Sequence, residues 1–176
     1  MSATANWYVI TGGPSSGKTT TVNLLQARGY ATTIEHARHY IDTRRVTGRT
    51  VEEIRRNQRE FQRSVIDMQI EQEASLDRNA RTFLDRALPD ALAYYRLLKI
   101  EPDPDYLALL HRVTYGRIFV LDLLPLAPDY ARNEDREAQA AIHALLLAVY
   151  RELGYEPLSV PVLSAEARVD FILAHL

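Results

Sequence analysis

A chain of 176 residues, 47% hydrophobic and 25% charged, has the material for one domain with a substantial core, and nothing in its composition argues for disorder beyond residues 1–5. A formal charge of −2 gives no global attraction to nucleic acid or to an anionic membrane, and the longest apolar run, residues 140–150, is interrupted by His143 and too short to span a bilayer. With no cysteine there are no disulfides or thiolate zinc sites, and no charged-then-apolar leader opens the chain; a single cytoplasmic domain over 1–176 is the expectation.

Trp7-Tyr8-Val9-Ile10 reads as a buried strand that runs into Gly12-Gly13-Pro14-Ser15-Ser16-Gly17-Lys18-Thr19-Thr20. Gly12, Gly17, Lys18 and Thr19 fit the phosphate-binding pattern GxxxxGK[ST]. A phosphate chain needs several donors converging on a small volume, so the amides of this turn point inward and side chains must be absent at Gly12 and Gly17. The helix that follows offers its unpaired first-turn N–H groups to the anion. Lys18 adds a mobile charge for the terminal phosphates, and the Thr19 hydroxyl is placed to ligate magnesium. Residues 12–20 are thus the expected cofactor-binding set. Only Lys18 and Lys99 are lysine; the abundance of arginine elsewhere reads as base composition rather than as phosphate forks.

The spacing predicts a helix over 19–28, with Val22, Leu24 and Leu25 inward and Gly29 as its left-handed cap. A β-branched stretch, Tyr30 to Glu35, reads as a second strand, leading into Glu35-His36-Ala37-Arg38. In a parallel sheet the C-terminal strand ends share one edge, so Glu35 and Arg38 are expected to face the ligand, against the alternative of a Glu35–Arg38 surface pair. His36 and His39 have a spacing sometimes used for metals but read better as packed or solvated. Thr50 to Glu53 is a capping box that opens a long helix with Ile54, Phe61, Val65 and Met68 on one side, and Arg55, Arg59 and Arg63 form a solvated stripe partly offset by Asp67.

Phe83-Leu84 delivers Asp85 at a third strand's end, where an acid can hold magnesium, and Arg86 follows as a guanidinium able to fork onto phosphate. Residues 90–100 read as a helix with Leu92, Tyr95 and Leu98 inside, and Asp103-Pro104 starts a short one. Arg117 to Leu124 is the clearest buried strand. The proline-hinged, charge-rich segment 125–137 is a candidate lid, with Arg132 and Arg136 able to reach a transferring phosphate. A helix over 138–153 closed by Gly154, a fifth strand over 158–163, and a helix capped by Ser164 complete the chain.

Five apolar strands separated by helices give an α/β fold, an open parallel sheet with helices on both faces. Its strand-end crevice collects Lys18, Thr19, Glu35, Asp85, Arg86 and the lid arginines. Either Glu35 or Asp85 can be the base, and no Asn-Lys-x-Asp guanine-reading segment occurs.

The segments GGPSSGKTT, EHARHYI, FLDRALPDALAYY, VLDLLP with RNEDR, and LGYEP resemble a small AAA-domain phosphate-loop family. That family is related to the nicotinamide-riboside kinase domain of bacterial NAD regulators and, more distantly, to thymidylate and deoxynucleoside kinases. The resemblance implies strand order 2-3-1-4-5, with ATP bound by Gly17, Lys18 and Thr19. It further implies a magnesium or base role for Asp85, and contacts from Glu35, Arg38 and Arg86 to a small-molecule acceptor.

Overall fold

The computed structural model describes residues 3–37, 50, 53, 57–125 and 133–176, with side chains from 136 onward in the last stretch. Five parallel strands, β1 (Trp7–Thr11), β2 (Ala31–Thr32), β3 (Thr82–Asp85), β4 (Arg117–Leu121) and β5 (Leu158–Val160), pair in the order β2-β3-β1-β4-β5. This is the order the family resemblance implies. The described helices are α1 (Lys18–Ala27), α2 (Gln58–Ser75), α3 (Leu88–Leu97), α4 (Pro104–Leu109), α5 (Asn133–Glu152) and α6 (Ala165–Ala174). Among the described residues no helix is long and apolar enough to cross a membrane.

Both faces of the sheet are covered, which is why its strands are continuous apolar runs rather than alternations. Trp7, Val9, Leu84, Ile118 and Val120 pack on one face with Ala87 and Tyr150. Ile10, Phe83, Phe119, Leu121 and Val160 pack on the other, against Val22 and Leu25 of α1 and Val169 and Ile172 of α6. A third cluster joins Ile66 of α2, Leu92 and Tyr95 of α3, Tyr106 of α4, and Ile142, Leu146 and Val149 of α5. Each such fully buried side chain contributes at most about 1.5–3 kcal/mol relative to exposure.

Backbone register brings the ends of β1 and β3 together. Ile10 lies opposite Asp85, and the Arg86 N–H donates to Ile10 O at 3.1 Å. The turn after β1 and the acid ending β3 are therefore neighbours before any side chain is considered.

The structure departs from several expected boundaries. The second strand is shorter than 30–35, because the Thr33 hydroxyl accepts the Asp85 N–H at 2.9 Å in place of a backbone carbonyl. The ladder ends there, leaving Ile34 52% exposed. Thr50 and Glu53 do form the capping box, but the helix does not run on from it: Asn57 is non-helical and its side chain accepts the Glu60 N–H at 3.2 Å, beginning α2 anew. Within the candidate lid, residues 133–137 belong to the first turns of α5, while 126–132 lie outside the described residues. The fifth strand stops at Val160, and Val162 and Leu163 are exposed. Ile54 and Arg55 also lie outside the described residues; Arg63 pairs with Asp67 and Asp105, both at 2.9 Å, as a solvated stripe should.

Candidate functional site

The turn between β1 and α1 is shaped by what its glycines lack. A Cβ on Gly12 would fall 2.7 Å from Ser16 Oγ, so the turn can close over residue 12 only without a side chain there. Gly17 has φ +82°, and Ser15 also adopts the left-handed region at φ 60° although it is not glycine. Alternating left-handed residues fold successive amides into an anion-binding concavity. Gly17 is the N-cap of α1 and gives no side-chain cap, which leaves the first-turn N–H groups to whatever enters the turn. The Ser16 hydroxyl oxygen is buried and has no hydrogen-bond partner among the described residues. These features fit a polyphosphate.

Charged side chains converge at the mouth of this turn. Lys18 Nζ donates to Glu35 Oε2 at 2.7 Å and to Asp85 Oδ1. Arg86 lies 3.4 Å from Glu35 Oε1 and stacks over the Tyr94 ring at 4.9 Å from its centroid. Burial pushes the Asp85 carboxyl above its ordinary pKa even though Lys18 pulls it down. Burial opposes the Arg86 charge, but Tyr94, Glu35, Asp90 and Asp85 more than offset it and raise its pKa. Arg86 also sits at φ 67°, a second left-handed non-glycine residue in the site.

Next to the turn opens a cleft of about 810 Å³, lined by residues 13–20, Glu35, His36, Ala37, Arg86 and faces of α2 and α3. Phe61 and Tyr94 supply aromatic rings to it. Gln62 is 6% exposed and lines the same space.

Gly13 to Thr20, Glu35 and Arg86 thus border one cleft, with Gly12 beneath the turn and Asp85 joined to it through Lys18. Thr19, in the first turn of α1, and Asp85 offer hard oxygen donors suited to magnesium. No group of three metal-binding side chains occurs among the described residues. Arg136 is exposed on α5 and does not line the cleft; Arg38, His39 and Arg132 lie outside the described residues. The Glu35 carboxylate pairs with Lys18 and Arg86. His36 bonds Gln72 through Nε2.

Sequence reasoning missed the supports behind the site. Asp90 accepts from Tyr150 OH at 2.5 Å, from Ala87 N at 3.0 Å and from the Thr11 hydroxyl, tying α3 to α5 and β1. Glu73 is 5% exposed and accepts from Gln69, Tyr115 and the Leu88 N–H; burial nonetheless dominates and pushes its carboxyl up to about 7. Arg168 is 2% exposed and donates to Pro161 O at 3.0 Å, Asp122 O at 2.7 Å and Ser16 O. Its one sequence signal is position: it directly precedes Val169, the first core residue of α6.

Solved structures with the same fold include the NadR protein and two kinases. The NadR protein in complex with NR superposes with a TM-score of 0.67 at 18% identity, covering 97% of this chain and 49% of that one, so the chain spans about half its length. Deoxyadenosine kinase from M. mycoides gives 0.59 at 14% identity, covering 96% and 97%. Thymidylate kinase from Ehrlichia chaffeensis gives 0.67 at 12% identity, covering 98% of each. Identities this low show the fold alone, and among curated proteins no sequence matches. The family model of the AAA domain matches residues 7–168, nearly the whole chain, and the protein belongs to that family.

Proposed function

We propose that this protein is a phosphotransferase that uses magnesium and ATP to phosphorylate a small molecule, acting in the cytoplasm. The observation that carries the reading is the convergence of Lys18, Glu35, Asp85 and Arg86 at a cleft that Phe61, Tyr94 and Gln62 also line. A passive phosphate-binding turn has no use for the acids or for a cleft that extends to aromatic side chains.

In this reading the amides of residues 13–20 and Lys18 hold the polyphosphate, and Thr19 and Asp85 hold the metal. Magnesium, when bound, neutralises phosphate charge. Lys18 leaves the carboxylates as it engages phosphate, which frees Glu35 or Asp85 to orient an acceptor hydroxyl and take its proton. Arg86, anchored on Tyr94, offsets negative charge near the point of transfer. Phe61, Tyr94 and Gln62 suit a planar heterocycle with an amide-like edge, as in a nucleoside. The names of the structural relatives point the same way.

A second reading, a nucleotide sensor without an acceptor, draws on the double carboxylate grip on Lys18, since phosphate binding must rearrange it. Labelled Mg–ATP supplied with a panel of nucleosides, nucleotides and small sugars separates the two. Transfer of label to an acceptor hydroxyl is expected. ATP turnover indifferent to every acceptor, with no phosphorylated product, would favour the sensor.

A further inference from the structure

The phosphate turn is gripped from behind by two side chains outside the cleft, and they take alternate carbonyls. Gln139 of α5 donates from Nε2 to Pro14 O at 2.8 Å, and Arg168 of α6 donates to Ser16 O. Neither residue lines the cleft.

In a trans peptide the C=O and N–H of one plane point in opposite directions, and no cis bond occurs among the described residues. Pro14 C=O shares its plane with the Ser15 N–H, and Ser16 C=O with the Gly17 N–H. Fixing those two carbonyls toward the outer helices therefore turns the Ser15 and Gly17 amides toward the cleft. The dihedrals agree, because Ser15 and Gly17 are the two residues of the turn with positive φ, at 60° and 82°. Arg168 has no slack in this role: its other two contacts, to Asp122 O and Pro161 O, anchor it to the ends of β4 and β5. Its three partners are neutral carbonyls, so its charge adds positive potential directly behind the turn.

We propose that Gln139 and Arg168 are positioning residues that aim the Ser15 and Gly17 amides, and so set the turn's affinity for polyphosphate from outside the ligand site. The proposal rests on reading the turn as a phosphate site. Its consequence is specific, since each residue governs one amide.

Inorganic tripolyphosphate, titrated into the full chain and followed by 15N–1H spectroscopy, tests it amide by amide. In the parent, Ser15 and Gly17 amide signals shift on binding. Gln139→Leu is expected to weaken binding about tenfold and to abolish the Ser15 shift while the Gly17 shift persists; Arg168→Lys is expected to do the reverse. If Arg168→Lys fails to fold, Gln139→Leu decides alone. Parental affinity with unchanged shifts in the variants overturns the proposal and leaves the phosphate site standing. A loss spread evenly over all amides of the turn assigns the two residues to general stability and also overturns it. A parent that ignores tripolyphosphate overturns both readings.

Discussion

Lys18 faces two carboxylates, Glu35 and Asp85, so a polyphosphate entering the turn competes with them for one cation. Glu35→Gln removes one competitor. Metal-free tripolyphosphate is then expected to bind several-fold tighter, and if Glu35 is the base, kcat falls by about 10²–10⁴-fold while the nucleotide still binds. An isothermal titration paired with an acceptor assay reads both; unchanged binding would remove Glu35 from the competition. Glu73 makes a different kind of prediction. Its carboxyl stands at about 7 in the folded chain against an ordinary 4.5, so below about pH 4.5 it is protonated folded or unfolded and costs nothing. Between 4.5 and 7 the unfolded chain ionises first, and stability falls with rising pH by up to the order of 3 kcal/mol before levelling off. Urea melts of Glu73→Gln should show a flatter slope between pH 5 and 7, and an unaltered slope would mean Glu73 is not the group responsible. Lys18, Glu35, Asp85 and Arg86 were legible in the sequence because a motif and a strand-end rule locate them. Gln62, Glu73, Gln139 and Arg168 were not, because a polar residue on a helix looks solvated until its packing partner is known.

Among the elements, two of the shifted boundaries share one cause: a short polar side chain took over a backbone partner. Thr33 ended β2 and Asn57 restarted α2 in this way, and neither event changes the hydrophobic spacing from which strand and helix were inferred. Where a cap coincides with a change of periodicity it was readable, as at Ser164, whose hydroxyl accepts the Ala167 N–H at 3.2 Å. Ser164→Ala is expected to cost about 1 kcal/mol, a drop of roughly 2–4 °C in Tm. Because α6 also presents Arg168, this variant should weaken polyphosphate binding slightly as well; a stability loss without any change in binding would show that α6 fraying does not reach the turn.

For the whole molecule, strand order does most of the functional work. All five strands run the same way and β1 lies between β3 and β4, so the turn after β1 opens at the crevice where connections depart in opposite directions. That placement was available from five apolar runs and a family resemblance. The depth of the cleft was not, since α2 and α3 wall it through residues whose spacing alone reads as ordinary core.

The central claim is that residues 12–19 bind polyphosphate through their amides and Lys18. Thermal melting with Mg–ATP, for the parent and for Lys18→Ala, tests it most directly. At about 100 times its Kd, the ligand should stabilise the parent by ~2.7 kcal/mol, roughly 5–10 °C in Tm, and the shift should largely vanish in Lys18→Ala although that variant melts as a folded protein by itself. A parent without a shift, or a Lys18→Ala chain that responds as strongly as the parent, would contradict the account.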